Sequence, residues 1–270
     1  MMRKFIHLST NTLLLVVLVI FSSCDKNDNF TPFFSVEDDK ALGAQVSQEI
    51  ANDPSFDLIA QSDNPEAYTY INNMVNEILS SNEVAYRDEF AWEVTLVNDD
   101  NVLNAFATPG GYIYVYTGLI KYLETADALA GVLGHEIAHA DLRHTSRNLQ
   151  KQYGVSLLLS IALGQDPSAL EQVAGQIAGT VAGLQFSRDF EAESDDESVL
   201  YLADTQYACN GAAFFFESLL SQNQTTPPEF LSTHPSPENR VADINATATE
   251  AGCDTALATD TGYDAFKALL

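Results

Sequence analysis

The fold is decided by residues 126–142, which read ADALAGVLGHEIAHADL. Apolar side chains recur in this stretch at steps of three and four residues, which is the spacing of one buried helical face. Thr125 is a suitable N-cap, and Asp127 in the first turn complements the positive end of the helix dipole. The pattern therefore predicts a single helix over these residues.

The motif His135-Glu136-x-x-His139 lies within this helix and sets two histidines one turn apart. Their side chains project side by side, so two neutral imidazoles can bind one zinc ion with Glu136 at its edge. Two surface histidines on an amphipathic helix are the alternative. Zinc needs more than two protein ligands, and the rest of the chain must supply them.

A pair of carboxylates later in the chain completes such a site. Ser187 is a suitable N-cap for a further helix, on which Glu191 and Asp195 fall one turn apart on the same face. Glu191 is predicted to be the third metal ligand, and Asp195 to accept the spare ring N–H of a ligating histidine. Three protein ligands leave one position for water, which is typical of catalytic zinc.

The start of the chain predicts export. Two basic residues precede an apolar run at residues 13–21 that is too short to span a bilayer, so residues 1–23 are interpreted as a signal peptide. The sequence FSSC that ends at Cys24 resembles a bacterial lipobox with an atypical first residue, which implies cleavage before Cys24 and acylation of this cysteine. Two or more acyl chains would hold the protein on a membrane. Ordinary secretion, with Cys24 incidental, is the alternative.

The remaining chain is strongly acidic. Loss of residues 1–23 removes two of the 12 basic residues and none of the 38 acidic ones, which leaves a net charge of −28. This charge argues against nucleic acid and anionic lipid surfaces as partners. Residues 24–36 show no regular period and are interpreted as a tether, and no linker divides residues 37–270, so we expect one domain there. Cys209 and Cys253 form one disulfide or stay as buried thiols.

Two segments rich in β-branched and aromatic residues, 92–97 and 112–117, are predicted to be strands. Residues 104–111 between them contain a proline and paired glycines, which favour a turn or a bulged sheet edge. An edge strand beside the metal helix could hold an extended peptide. A hairpin that only supports the core is the alternative.

The segments after the metal helix are also helical in pattern. Residues 153–163 and 169–184 predict a helical hairpin packed on the domain, and the glycines at four-residue spacing in the second segment would allow a close helix contact. The same glycine spacing suits membrane dimers, but polar side chains interrupt the segment. His144 follows His139 by five residues and would point about 140° away from it on a continuous helix, so we expect an outer or capping role.

These motifs resemble those of the gluzincin metallopeptidases. Within them they are similar to the family of HtpX-type heat-shock proteases, BepA-type periplasmic proteases and CAAX prenyl endopeptidases, over residues 42–244. Four stretches carry the resemblance in the family's order: residues 104–111, His135-Glu136-x-x-His139, Ser187-Arg188-x-x-Glu191-x-Glu193-Ser194-Asp195 and Thr233-His234-Pro235-Ser236-Pro237-x-x-Arg240. Phe186, Ser194 and Ser236 stand where the family more often has Tyr, Ala and Pro, and none of these departures removes a metal ligand.

The resemblance implies an α+β, mainly α-helical, zincin-like domain with a small β-sheet beside the active-site helix. It implies a zinc endopeptidase with one Zn²⁺ per chain, Glu136 as general base, and His234 as an oxyanion donor or removable fourth ligand. Arg240 would assist near the site or pair with an acid there. A purely structural His234 and a surface salt bridge at Arg240 remain open.

We therefore expect an endopeptidase of the bacterial cell envelope that acts on misfolded or unassembled envelope proteins. A lipid anchor would hold it at the periplasmic face of the outer membrane, or exposed at the cell surface. A chaperone-like or latent binding factor with a capped zinc site is the alternative. A non-peptidase zinc hydrolase is less favoured, because the Pro-Gly-Gly edge and the Glu191/Asp195 helix together match peptidases.

Overall fold

The computed structural model describes residues 34–162, 167–179, 185–221, 229–234, 239–258, 260 and 262–270. The predicted signal peptide, the acylation site at Cys24 and most of the tether lie outside these residues. The folded part begins slightly before the expected limit at residue 37. Phe34 is buried, and the Ser35 side chain caps α1 (Val36–Asn52) by accepting a hydrogen bond from the Asp38 N–H. Both residues, assigned to the tether from sequence, thus belong to the domain.

Helices make up most of the described chain. They are α2 (Pro65–Leu79), α3 (Thr117–Tyr122), α4 (Ala126–Asp141), α5 (His144–Ala162), α6 (Pro167–Gly179), α7 (Arg188–Leu202), α8 (Gly211–Ser221), α9 (Glu229–Thr233), α10 (Arg240–Ala251) and α11 (Tyr263–Lys267). With the small mixed sheet described next, they confirm the predicted α+β, mainly helical fold. In the part of the chain that the structure describes, no helix combines the length and apolar character that a membrane span requires.

The sheet has the order β1-β2-β4-β3 within the described residues. Its strands are β1 (Leu58–Ile59), β2 (Glu93–Val97), β3 (Ala105–Thr108) and β4 (Tyr112–Tyr116). The two strands predicted from sequence are β2 and β4, which pair in parallel, while β1 and β3 run antiparallel to their neighbours. The stretch at 104–111 therefore contributes a true edge strand, β3, as well as a turn.

The turn between β3 and β4 depends on its paired glycines. Gly110 and Gly111 have φ values of 75° and 84°, in the left-handed region that side chains disfavour. The Gly111 N–H donates a hydrogen bond to the Thr108 carbonyl at 3.3 Å and closes the hairpin. This turn fixes β3 at the sheet edge beside α4.

Helix α4 forms where the sequence predicts it and is buried along its whole length. Thr125 accepts a hydrogen bond from the Ala128 N–H at 3.2 Å and is the predicted N-cap. Helices α7 and α8 and strand β3 pack around α4. An apolar core that includes Leu129, Leu133 and Ile137 of α4 joins these elements.

The predicted hairpin is present as α5 and α6, and α6 packs on α1. Val173 and Ile177 of α6 share a buried cluster with Leu42 and Val46 of α1. The expectation of a close helix contact along the glycines is not met at the two that are described. Cβ atoms built at Gly175 and Gly179 would meet nothing within 4 Å, because this face of α6 is exposed.

The structure joins Cys209 and Cys253 by a disulfide, one of the two states that the sequence allows. Cys209 precedes α8, and Cys253 follows α10 directly after the left-handed Gly252. The Cys209 N–H also donates to the Asp254 carbonyl at 2.8 Å. The bond therefore fastens the end of α10 to the segment that leads into α8.

We predict that Gly131→Ala destabilises the domain because α4 and α8 touch through backbone at this point. An added Cβ would lie 1.9 Å from the Ala212 nitrogen, so the helices would have to separate. We expect the free energy of unfolding to fall by about 1–3 kcal/mol. Urea denaturation of the metal-free protein measures this loss.

Gly134→Ala on the same helix is the matched control. Its added Cβ would lie 3.4 Å from the Ser198 Cβ, an ordinary contact, and alanine improves helix propensity by about 1 kcal/mol. Equal stability of the two variants would contradict the close packing of α4 on α8.

Candidate metal centre

Four buried side chains meet between α4, α7 and the end of α9. They are His135, His139, Glu191 and His234, and one ligand atom from each lies within 4.8 Å of the others. All four side chains are at most 2% exposed. The structure thus brings together the three ligands predicted from sequence and places beside them His234, which was expected as an oxyanion donor or removable fourth ligand.

The spacing of these atoms is that of a metal-binding group. His135 Nε2 lies 3.0 Å from His139 Nε2 and 3.4 Å from His234 Nδ1. Glu191 Oε1 lies 3.0 Å from His234 Nδ1 and 3.5 Å from His139 Nε2. Ligands at zinc–nitrogen and zinc–oxygen bond lengths around a tetrahedral ion are about 3.3 Å apart. Three imidazoles and one carboxylate also form a donor set that divalent transition metals prefer.

Helix α7 begins at the predicted N-cap, Ser187, and carries Glu191 in its first turn. Ser187 accepts a hydrogen bond from the Phe190 N–H and begins the helix, so Glu191 and Asp195 face α4 one turn apart. Both are buried. Burial lowers the pKa of His139 well below its ordinary value, which favours the neutral ring.

Asp195 supports the first histidine. Its Oδ1 accepts a hydrogen bond from His135 Nδ1 at 2.9 Å. Arg240 forms a bidentate pair with Asp195 through Nε–Oδ2 at 2.5 Å and Nη2–Oδ1 at 2.8 Å, and its Nη1 lies 3.0 Å from Glu191 Oε2. Burial opposes ionisation of Asp195, yet Arg240 and His135 hold its pKa below the ordinary value. Arg240 is buried at the site, which excludes the surface salt bridge considered from sequence.

Glu136 lies between the histidines and the edge strand. Its Oε2 accepts the Ala107 N–H of β3 at 3.0 Å, while Oε1 lies 3.4 Å from His234 Nε2 and accepts no hydrogen bond within the described residues. Burial raises the pKa of Glu136. The strand thus fixes one carboxylate oxygen and leaves the other without a hydrogen bond in the described part of the chain.

His234 reaches the centre from the end of α9. The Phe230 ring stacks on it at 4.3 Å, and the Phe230 N–H donates to the Leu103 carbonyl at 3.1 Å. These contacts tie the α9 segment to the chain just before β3. The prolines that surround His234 in sequence lie outside the described residues.

His144 lies outside the group of four but touches it. Its Nδ1 is 2.9 Å from His139 Nδ1, and its Nε2 is 3.0 Å from Glu193 Oε2. The hydrogen bond from His144 is the main cause that lowers the pKa of Glu193 to about 2. The Glu193 side chain is 43% exposed, and its carboxylate is bound on the inner side by His144.

A comparison with known families identifies the fold. The model described as Peptidase family M48 matches residues 47–248, which is most of the chain. The chain belongs to peptidase family M48. This confirms the resemblance stated from the motifs and places the protein among metallopeptidases.

Several M48 relatives share the matched region. The chain is 31% identical over 194 residues to the beta-barrel assembly-enhancing protease of Yersinia pestis, which covers 67% of this chain and 39% of that protein. It is 31% identical over 156 residues to the mitochondrial metalloendopeptidase OMA1 of Arabidopsis thaliana, covering 58% and 31%. It is 29% identical over 208 residues to the mitochondrial metalloendopeptidase OMA1 of Danio rerio, covering 72% and 43%. The chain spans less than half the length of each of these relatives.

The sequence predicted an outer role for His144, and the structure places this residue outside the group of four, against His139. The same reasoning took the metal helix to continue through His144, and that prediction is wrong. Helix α4 ends at Asp141, and Arg143 adopts a left-handed φ of 58° before α5 begins at His144. Arg143 is held there by buried Asp39 and by the Phe34 and Ser35 carbonyls. Since these partners are far away in sequence, no local pattern marks the break.

Proposed function

We propose that this protein is a zinc-dependent endopeptidase that hydrolyses peptide bonds in polypeptide substrates. The observation that carries the proposal is the position of Glu136, whose Oε2 is anchored on β3 while its Oε1 makes no hydrogen bond in the described part of the chain and lies 3.4 Å from His234 Nε2, at the edge of the group of four. Zinc held by His135, His139 and Glu191 would supply a Lewis acid for the scissile carbonyl and lower the pKa of water.

Glu136 has the geometry of a general base. Its unbonded Oε1 can take a proton from the attacking water and later pass it to the leaving amine. The anchored Oε2 keeps the carboxylate in place during both transfers. Burial raises the pKa of Glu136, which makes the carboxylate a stronger base for the first transfer, from water.

The edge strand β3 favours a polypeptide as the substrate. In β3 the Ala107 N–H donates to Glu136 rather than to a neighbouring strand, so this edge of the sheet faces the metal centre. An extended peptide that pairs with such an edge would present its backbone carbonyls next to Glu136.

A second candidate function rests on His234. Its Nδ1 lies at ligand spacing from His135 and Glu191, so His234 would compete with water for the fourth position at a bound metal. The centre is also closed to solvent, since every member of the group is buried. These observations favour a latent peptidase opened by withdrawal of His234, or a chaperone-like binding factor in which the cap is permanent.

The proposed location is the bacterial cell envelope. The signal sequence and Cys24 support export and lipid anchoring, at the periplasmic face of the outer membrane or exposed at the surface. Relatives named beta-barrel assembly-enhancing proteases support a role in envelope protein quality control. We propose misfolded or unassembled envelope proteins as the substrates on these grounds.

We predict that Glu136→Gln abolishes cleavage of casein while the variant still binds one zinc per chain. The amide cannot accept the proton of water, so activity should fall by at least about 100-fold. Metal analysis and casein digestion of the same preparation measure the two properties. Asp189→Asn, an exposed change on α7, is the control and should leave both unchanged. Cleavage that survives Glu136→Gln would refute the mechanism.

Replacing His234 tests latency. We expect His234→Ala to cleave casein faster than the wild type, because removal of the imidazole frees the fourth position at the metal. The double variant Glu136→Gln/His234→Ala should be inert, which controls for contaminating proteases. If wild type and His234→Ala are both inert and still bind unfolded protein, the binding factor is the correct function.

The anchor is tested by Cys24→Ser in an expressing bacterium. We expect the wild type in the membrane fraction with acyl mass on Cys24, and the variant in the soluble periplasmic fraction. Mass spectrometry and fractionation give the result. Equal solubility of both proteins would favour ordinary secretion.

A further inference from the structure

Both histidines of α4 use a second ring nitrogen that faces away from the group of four. His135 places Nδ1 on Asp195, at 2.9 Å, and Arg240 holds that carboxylate from the other side. His139 has no carboxylate in this position. Its Nδ1 lies 2.9 Å from the Nδ1 of His144 instead.

The contact between two imidazole nitrogens has a required direction. If His139 binds a metal through Nε2, its proton is on Nδ1, so His139 must donate and His144 Nδ1 must accept. A neutral His144 that accepts at Nδ1 carries its proton on Nε2. That nitrogen lies 3.0 Å from Glu193 Oε2, a carboxylate oxygen that can only accept. One assignment of the ring protons, Nδ1–H on His139 and Nε2–H on His144, therefore satisfies His139, His144 and Glu193 together.

Further contacts hold His144 in this orientation. Its ring stacks on Phe190 with a centroid distance of 4.3 Å and an interplanar angle of 8°. Glu193 is bound in turn by Arg147 at 2.6 Å. The hydroxyl of Ser194 lies 3.3 Å from His144 Nδ1 and can donate a second, weaker hydrogen bond to this nitrogen. The series of contacts that starts at His139 thus ends, like the one that starts at His135, at a carboxylate of α7 that is paired with an arginine.

We propose that His144 is a positioning residue that fixes the tautomer and ring plane of His139, so that His139 Nε2 faces the metal. Glu193 and Arg147 fix His144 in its turn. This inference rests on the proposed metal site and adds a support that the ligand spacing does not reveal. The rival explanation is that His144 only fills space beside Phe190.

Two substitutions at His144 separate these explanations. His144→Phe keeps an aromatic ring on Phe190 but offers His139 no acceptor. His144→Asn loses the ring but places its Oδ1 where the acceptor Nδ1 was. We expect His144→Phe to weaken zinc binding by about 10–100-fold and His144→Asn to weaken it by less than about 3-fold.

Competition with a chromophoric chelator measures zinc affinity, and the absorption of the cobalt(II)-substituted protein reports the geometry at the metal. If His144→Phe binds zinc like the wild type, or if both variants weaken equally, the proposal is wrong. If the wild type itself binds no zinc, the proposed metal site fails and the inference falls with it. Wild-type binding therefore distinguishes the two failures.

Glu193→Ala tests the next link, with Asp189→Ala as a control that removes the same charge from the exposed side of α7. Only Glu193→Ala should weaken zinc binding, and equal affinities would refute the role of Glu193. Long-range proton–nitrogen correlation spectra of the wild-type zinc protein read the tautomers directly. We expect protonated Nδ1 on His139 and protonated Nε2 on His144. The reverse assignment at His144 would overturn the proposal even if a variant fails to fold.

Discussion

The burial of α4 is the constraint on which the rest of the structure depends. A helix surrounded by protein cannot leave polar side chains without partners, because an unpaired buried polar group costs about 1–3 kcal/mol. Each polar residue of α4 is accordingly bound to a partner outside the helix. Asp127 accepts the N–H groups of Ala208 and Ala258, and Asp141 accepts those of Ala85 and Tyr86 and the Tyr201 hydroxyl. The hydrogen bonds that satisfy the polar side chains of α4 thus position most of the domain around this helix.

The same rule holds at the metal centre, where the polar residues of α4 also have partners on other segments. His135 is supported through Asp195 by Arg240 of α10, and His139 contacts His144 at the start of α5. Glu136 binds β3 through Ala107. Each residue of the motif therefore connects the centre to a separate piece of the fold. The disulfide at the far end of α10 fastens the helix that carries Arg240.

Local patterns were sufficient for much of the fold and the site. Periodicity and the Thr125 cap predicted α4, and Ser187 predicted the helix that carries Glu191 and Asp195. These predictions succeed because capping and helical spacing act over a few residues. The break at Arg143 could not be predicted, because it is held by Asp39 and the Phe34 carbonyl, about a hundred residues earlier in the chain. Gly175 and Gly179 lie on an exposed face of α6 and do not form a packing ridge. Their spacing could not reveal this, because spacing alone does not say which face of a helix is covered.

The sequence by itself determined the candidate ligands, their helices and the family, because a one-turn repeat on a capped helix places side chains on one face wherever that helix lies. Only the tertiary structure decided how His234, His144 and Arg240 are used. His234 could have had a purely structural role and Arg240 could have formed a surface ion pair. Packing of α9 on the segment before β3, and of α10 on α7, instead buries both at the centre. Contacts between elements distant in the chain are not encoded in local spacing, so the burial of the centre is a property of the fold.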